Sequence, residues 1–380
     1  MSIDALKEEI DRRADSFTRS GAADWRVLEE AETRDIEFDD RPLAVLGAGS
    51  VWPQAFIRHL AERRNVVAFV DNARIGDTRF GRPFIGDEGL RDAARRHAGL
   101  VAVMCCASDG AVAHFAALCA RIGLPVLSLF QAMRRENRLS FGLAHGEVDG
   151  IVSLCHDNPF LGKFADGLSQ EIYYRLLLHR LSWSRHWLDP IRRPFGDIYF
   201  TSGAFELTDR EVLVDGGAYD GDTVRAFDRW TGGKARHIHA FEPDDGSAEA
   251  LRRNFPDRAN LTVVEAGLWS ESTTLAFNAE GTHGSSLGCG SAEVRVVALD
   301  DCGIDDVTLL KLDVEGAEIP ALHGARQTIR RARPRLAICA YHLKDDLLTI
   351  PAAILDTRPD YRLYLRHYSP WLTDSVIYAA

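Results

Sequence analysis

The chain has 380 residues, 46% of them apolar and 27% charged, and carries a formal net charge of −11. That length suits two domains better than one, and the acidic balance leaves no basic surplus for a general nucleic-acid binder. No stretch approaches the run of roughly 18 apolar residues that spans a bilayer.

The first segment, residues 1–40, opens with MSIDALKEEIDRRADSF, a charged amphipathic helix pattern without the apolar core of a signal peptide. The seven cysteines (Cys105, Cys106, Cys119, Cys155, Cys289, Cys302, Cys339) form no CxxC pair and have no His at finger spacing. Several sit in apolar runs such as VAVMCCAS, where a thiol is usually a small buried hydrophobe. A reduced, cytoplasmic setting is expected, with no metal.

Residues 41–135 alternate strand and helix patterns: PLAVLGAGS, then WPQAFIRHLAERR, NVVAFVDN, GLRDAARRHAG, LVAVMCCAS, GAVAHFAALCARIG and LPVLSL. This βα alternation predicts a small parallel sheet with helices on both faces, a Rossmann-like domain. LAVLGAGSVW holds two glycines of the dinucleotide fingerprint, Gly47 and Gly49, with Ser50 after them. Trp52 stands where a third glycine would pack the helix on the strand, and Asp71 ends the next strand at the ribose-reading position. The region reads equally as a nucleotide or nucleotide-sugar site and as a degenerate domain used for assembly, and homo-oligomerisation stays open. Residues 136–200 lose the strand signal and read as a helical bridge ending near GDIYF.

Residues 201–380 give a longer series: EVLVDGG, RHIHAFEP, LTVVEAG, LLKLDVEG, RLAICAYH, YRLYLRHY and SVIYAA. Helix patterns separate the first five: DTVRAFDRW, DGSAEALRRNF, AEIPALHGARQTIRRA and the stretch from Asp345 to Thr357. TTLAF and EVRVVALD suggest an inserted pair of strands, and the last two strands suggest an antiparallel end to the sheet. The expected architecture is α/β, with two doubly wound domains joined by the bridge, the second of them seven-stranded.

VDGGAYDGDTV places Asp215, Asp220 and Asp222 in a glycine-rich turn between strand and helix. Such turns usually cradle phosphate on bare N–H groups, and carboxylates there would oppose an anion. A cationic ligand reverses the sign. S-adenosylmethionine carries a sulfonium and an ammonium and no phosphate, so acids beside it are tolerated. Gly216 and Gly217 allow close backbone approach, and Glu242 in AFEP can accept both hydroxyls of a ribose. The competing reading makes the Asp residues ordinary turn and cap residues, Asp222 capping the helix that follows. In LLKLDVEGAE, Lys311, Asp313 and Glu315 alternate on one face of an apolar strand, which is costly unless they pair or meet a ligand.

VDGGAYDGDT, AFEPD, LKLDVEGAEIPALHGA, YHLKDDLLTIP and LYLRHYS…VIYA together resemble the signature blocks of FkbM-type S-adenosylmethionine-dependent methyltransferases, in their order. The resemblance covers Phe200 to the C-terminus. It implies a seven-stranded methyltransferase sheet and O-methyl transfer to sugars, polysaccharide precursors or related natural products, without a usual catalytic metal. Carried over, Asp215, Gly217 and Glu242 would hold the cofactor, with Gly216, Tyr219, Asp220, Asp222, Pro243 and Gly267 around them. Asp313, Glu315 and His342 match blocks at the reacting site. His342 is expected as the base, with Asp313 as the next choice or as the group that orients it; a structural His bonded to Asp345 or Asp346 is the rival reading. His283 lies in EGTHGSSLG, a Gly/Ser loop that reads as a plain connection or a lid. Two other functions compete: a nicotinamide-dependent sugar-nucleotide oxidoreductase and a non-catalytic nucleotide sensor. None of the five lysines (Lys7, Lys163, Lys234, Lys311, Lys344) follows a Tyr by four residues, which counts against the YxxxK form of the first.

Overall fold

LAVL, VVAFV and VAVM are short apolar runs without polar alternation, the pattern of strands covered on both faces. In the computed structural model they become β1 (Leu43–Leu46), β2 (Val66–Val70) and, after β3 (Thr78–Arg79) and β4 (Arg82–Ile85), β5 (Val101–Met104). The structure describes all residues except 22–24, 38, 50–53, 107, 137–146, 201, 279–285 and 288–291. With β6 (Val126–Ser128) these strands form a six-stranded sheet in the order β3-β4-β2-β1-β5-β6. All pairs are parallel except β3 with β4. That hairpin is absent from the sequence reading because each strand is too short to show a period. Its signal is the turn: Phe80 and Gly81 both have positive φ, 48° and 71°, as a two-residue type I′ connection requires.

Packing divides the chain into two units. One comprises Lys7–Gly142 and Leu177–Asp189 and holds the six-stranded sheet; the other comprises Met1–Leu6, Leu143–Leu176 and Pro190–Ala380. The bridge therefore contributes to both units. In the six-stranded unit, Glu29 is fully buried and paired with Arg135 at 2.9 Å, which keeps two buried charges compensated.

The larger unit holds β7 (Val212–Gly216), β8 (His237–Phe241) and β9 (Leu261–Val264). Next come β10 (Gly267–Leu268), β11 (Thr273–Asn278), β12 (Ser286–Leu287) and β13 (Ala292–Val297). The series ends with β14 (Leu309–Leu312), β15 (Arg335–Cys339), β16 (Leu363–His367) and β17 (Ser375–Ala379). The main sheet is seven-stranded, in the order β16-β17-β15-β14-β7-β8-β9. β17 runs antiparallel to both neighbours, giving the antiparallel end that the last two strand patterns predict. The inserted strands form a separate four-stranded sheet, β10-β13-β11-β12. The stretch AEIPALHGARQTIRRA makes two helices, Glu318–Gly324 and Arg326–Ala332. The break follows Gly324, which packs so close to the Trp269 carbonyl that a Cβ there would lie 1.9 Å from it.

β8 and β14 flank β7 on opposite sides, so the chain reverses its winding direction at β7. In open α/β sheets the crevice at the carboxyl ends of such strands receives ligands. Every residue of β7 and of β14 is buried. The polar groups at their ends therefore stand out against an apolar support.

Candidate functional site

The turn after β7 is built to press backbone against backbone. Gly217 has φ +74°, and a Cβ on it would lie 1.9 Å from the Asp313 carbonyl oxygen. The Gly217 and Ala218 amides both donate to the Phe241 carbonyl, at 3.0 and 3.1 Å. Gly217→Ala is expected to prevent this approach and to reduce cofactor affinity at least tenfold, with lowered thermal stability. Calorimetric titration alongside a melting curve checks it, and a variant that binds and melts like the parent would refute the packing argument.

The three aspartates of the turn have different fates. Asp215 has no exposed surface and lies 2.9 Å from the Lys311 ammonium, which is 1% exposed. Lys311 also donates to the Gly216 and Gly217 carbonyls, at 3.1 and 2.8 Å. Burial raises the Asp215 carboxyl to about 6 even though Lys311 opposes the shift. Asp220 pairs with Arg225 at 2.7 Å. Asp222 is the first residue of the helix Asp222–Thr231 and accepts from the Thr223 amide, where its charge also complements the helix dipole. The acidic turn is thus largely compensated from within: Asp215 braces it from beneath and Asp222 stabilises a helix start.

Glu242 follows β8 and is nearly buried. Its two oxygens accept from the amides of Tyr219 (2.8 Å) and Asp244 (2.9 Å), so the carboxylate ties the glycine turn to the next strand. Burial raises its pKa, against the pull of those two amides. Each oxygen keeps a second lone pair for a ligand hydroxyl. Tyr219, at φ +46°, presents an exposed ring beside it. Pro243 is half-buried, and Gly267 is buried at the start of β10.

At the end of β14 the sequence reading needs a correction. The strand stops at Leu312, the Asp313 amide makes one more ladder bond to the Gly216 carbonyl (3.1 Å), and the chain then turns. Glu315 therefore lies in the turn, at φ +53°, and not on the strand face. Glu318, 1% exposed, holds this conformation by accepting from the Val314 and Gly316 amides on either side, at 2.9 and 3.1 Å. A non-glycine residue at positive φ is strained, and such strain persists where the surroundings over-determine it.

His342, three residues past β15, joins these groups. Its Nδ1 lies 2.9 Å from Glu318, and its Nε2 lies 3.4 Å from Asp313 and 3.5 Å from Glu315. Burial alone would lower the pKa of the ring, but Glu318, Asp313 and Glu315 raise it to about 10. A neutral His342 acting as base near neutrality does not fit that surrounding: the ring is held as imidazolium, with no free pair for a proton. Of the rival partners, Asp346 accepts from the Leu343 amide at 2.7 Å. Asp313 is also poorly suited to base work. Its Oδ1 accepts from Tyr341 (3.0 Å) and its Oδ2 from Tyr199 (2.8 Å). Burial would raise its pKa, yet Lys311, His342 and the two hydroxyls lower it. Glu315 is the group left poised, with burial pushing its carboxyl up to about 7 and 34% of its side chain still exposed.

Among the described residues, Asp313, Glu318 and His342 are the one group with potential metal-ligand atoms within 4.8 Å of one another. They could ligate a cation only with the ring deprotonated, and their carboxylates favour the protonated ring. Glu318, Tyr199, Tyr341 and the nearby Asp374, raised to about 6 by burial, are absent from the sequence reading. Glu318 had a signal, as the second acid of VEGAE; the tyrosines had none.

In the six-stranded unit, Asp71 lies against Gly49 and accepts from the Ala73 amide at 3.0 Å. Arg79 donates to the Ala48 carbonyl at 2.9 Å, just after Gly47. Ser50, Trp52 and His283 lie outside the described residues.

Residues 215–366 match the family described as the Methyltransferase FkbM domain. The crystal structure of methyltransferase FkbM from Methylobacillus flagellatus KT matches with a TM-score of 0.76 and 27% identity, covering 100% of both chains. Aeropyrum pernix fibrillarin, solved with natively bound S-adenosyl-L-methionine, has a TM-score of 0.32 and 15% identity over 47% of this chain and 71% of its own. A SAM-dependent methyltransferase from Aquifex aeolicus has a TM-score of 0.31 and 11% identity over 52% of this chain and 97% of its own. These last two likenesses are too slight to carry an argument. No curated protein matches the chain. The matched segment contains the glycine turn, Glu242 and the carboxylate–imidazole cluster; the chain is a methyltransferase, and its residues 215–366 match the FkbM domain.

Proposed function

We propose that the protein is an S-adenosylmethionine-dependent O-methyltransferase acting on a hydroxyl of a sugar, a polysaccharide precursor or a related natural product. The observation that carries the reading is the carboxylate surplus at the crevice. Asp313, Glu315 and Glu318 surround a single imidazolium, beside a glycine turn in which Asp215 and Asp220 are ion-paired and Asp222 starts a helix. Such a site suits a cationic cofactor and a neutral acceptor better than phosphate. The residues fit the cofactor: Gly216 and Gly217 give the close backbone approach, Glu242 has lone pairs for ribose hydroxyls, and Tyr219, Pro243 and Gly267 line the approach. Asp215, Asp220 and Asp222 shape the turn from beneath and from its flank. When bound, the cofactor supplies an electrophilic methyl group on a sulfonium.

The chain's own part is alignment and proton removal. Glu315 would take the proton of the acceptor hydroxyl and hold it on its carboxylate; the bond the oxygen gains to the methyl carbon would be matched by the carbon–sulfur bond that breaks, with the sulfur leaving as a neutral thioether. His342 steadies Glu315 by charge. Asp313 and Glu318 in turn fix the imidazolium between them. In the other unit, Gly47, Gly49 and Asp71 would serve a nucleotide or nucleotide-sugar site, with a domain used only for assembly as the equal alternative. A reducing, cytoplasmic setting is part of this reading: most of the cysteines among the described residues are buried in apolar surroundings.

The test is calorimetric titration with S-adenosylmethionine, with NADH as the control. Glu242→Ala should weaken S-adenosylmethionine binding about 10- to 100-fold, roughly 1.5–3 kcal/mol, as for loss of a hydrogen bond to a charged group. Unchanged affinity in the folded variant would remove the ribose assignment. Binding of NADH in place of S-adenosylmethionine would overturn the function.

A further inference from the structure

We propose that Tyr199 is a positioning residue of the methyl-transfer site, supplied by the segment ahead of the matched domain. The proposal rests on the functional reading above and adds to it that residues 215–366 alone do not complete the site. Tyr199 lies 16 positions before that segment begins. Its backbone is strained, at φ +67°, and its amide donates to the Tyr378 hydroxyl at 2.9 Å. The ring is buried, with the Lys311 ammonium 5.3 Å from its centroid. The hydroxyl donates to Asp313 Oδ2 at 2.8 Å and lies 3.6 Å from the Cys339 sulfur.

A buried tyrosine that only filled space would not need a strained backbone to reach a carboxylate. Here the strain, the amide contact and the hydroxyl all converge on one placement. With Tyr341 donating to the other oxygen, the Asp313 carboxylate cannot rotate without breaking two hydrogen bonds. It therefore faces the His342 ring in one orientation, and His342 in turn faces Glu315. The groups that face Asp313 are Lys311 from β14, Cys339 at the end of β15, Tyr341 and His342 beyond it, Tyr199, the Glu318 carboxylate within 4.8 Å, and at longer range Asp374, Asp215 and Glu315. Both phenols remain donors at all working pH values, because burial and the Asp313 charge push their pKa values well up.

The experiment uses the full chain with Tyr199→Phe, which keeps the ring and removes only the donor. The titration midpoint of the Asp313 carboxyl, read by carbon NMR, should rise by roughly half to one pH unit, since a carboxylate loses one of the hydrogen bonds that favour its charged form. S-adenosylmethionine affinity should stay within about twofold, because the hydroxyl is assigned to the acceptor side. An unmoved Asp313 midpoint in a folded variant would reduce Tyr199 to packing and overturn the proposal. If that variant does not fold, Tyr341→Phe removes the companion donor, and the same upward shift is required of it. Titration of the unaltered protein with S-adenosylmethionine separates the two readings. Failure to bind sinks the proposed function while leaving the Asp313 result to be judged by itself.

Discussion

Glu315→Gln should lower methyl transfer by roughly 10²–10⁴-fold, the usual contribution of a positioned base, with S-adenosylmethionine affinity almost unchanged. Glutamine keeps the length and shape of the side chain and removes its ability to take a proton. The pH dependence follows from the sign of the shift. Burial holds the Glu315 carboxyl at about 7, so below that pH it is protonated and idle. The rate should therefore rise through about pH 7 and level off above it. A second, falling limb is expected near 10, where His342 loses the proton that its three carboxylates help it keep. Had His342 been the base, the rate would climb toward pH 10 and no plateau would appear between. Transfer of labelled methyl groups from S-adenosylmethionine to a panel of neutral saccharides, followed from pH 5 to 10, distinguishes the two. A Glu315→Gln enzyme with full activity would remove Glu315 from the chemistry.

Asp215→Ala should cost about 3–5 kcal/mol of folding stability, the usual penalty for stranding a buried charge. Lys311 is 1% exposed, and its ion-pair partner at 2.9 Å is Asp215; what remains is the Gly216 and Gly217 carbonyls, which are neutral acceptors, and the Asp313 charge farther off. Such a loss is a large share of the roughly 5–15 kcal/mol that keeps a domain folded. Adding Lys311→Met to Asp215→Ala should recover part of it, because an apolar chain of similar length leaves no charge to solvate. Urea unfolding of the parent, both single variants and the double variant measures the coupling. Additive losses would show that the pair does not act as a unit. Lys311 binds the carbonyls of the glycine turn, so the single variant should also lose cofactor affinity.

Several features were legible because they are local. The glycine turn at Gly216 and Gly217, the strand runs, and the helix start at Asp222 depend on residues within a few positions of one another. The closing strand patterns LYLRHY and SVIYAA likewise predict the antiparallel β16–β17 pair, since so short a connection cannot cross over the sheet. The period-2 argument failed at Glu315, because pleat alternation holds only while the ladder continues. The ladder ends one residue after Leu312. The β3–β4 hairpin escaped notice because two- and four-residue strands carry too few positions for a period.

By itself the sequence determined the two α/β series, the antiparallel end of the second sheet, the glycine turn after β7 and most of the acids near it. These follow from backbone geometry and apolar patterning, which act over short spans of chain. Only the tertiary structure decided what each acid does. Asp215, a candidate for ligand contact, is sealed against Lys311, which lies 96 positions away. His342, expected to be neutral, is charged because β14 and β15 bring Asp313, Glu315 and Glu318 around it. A residue's charge state depends on its neighbours through space and on its distance from water. Neither quantity is written in the spacing of a motif.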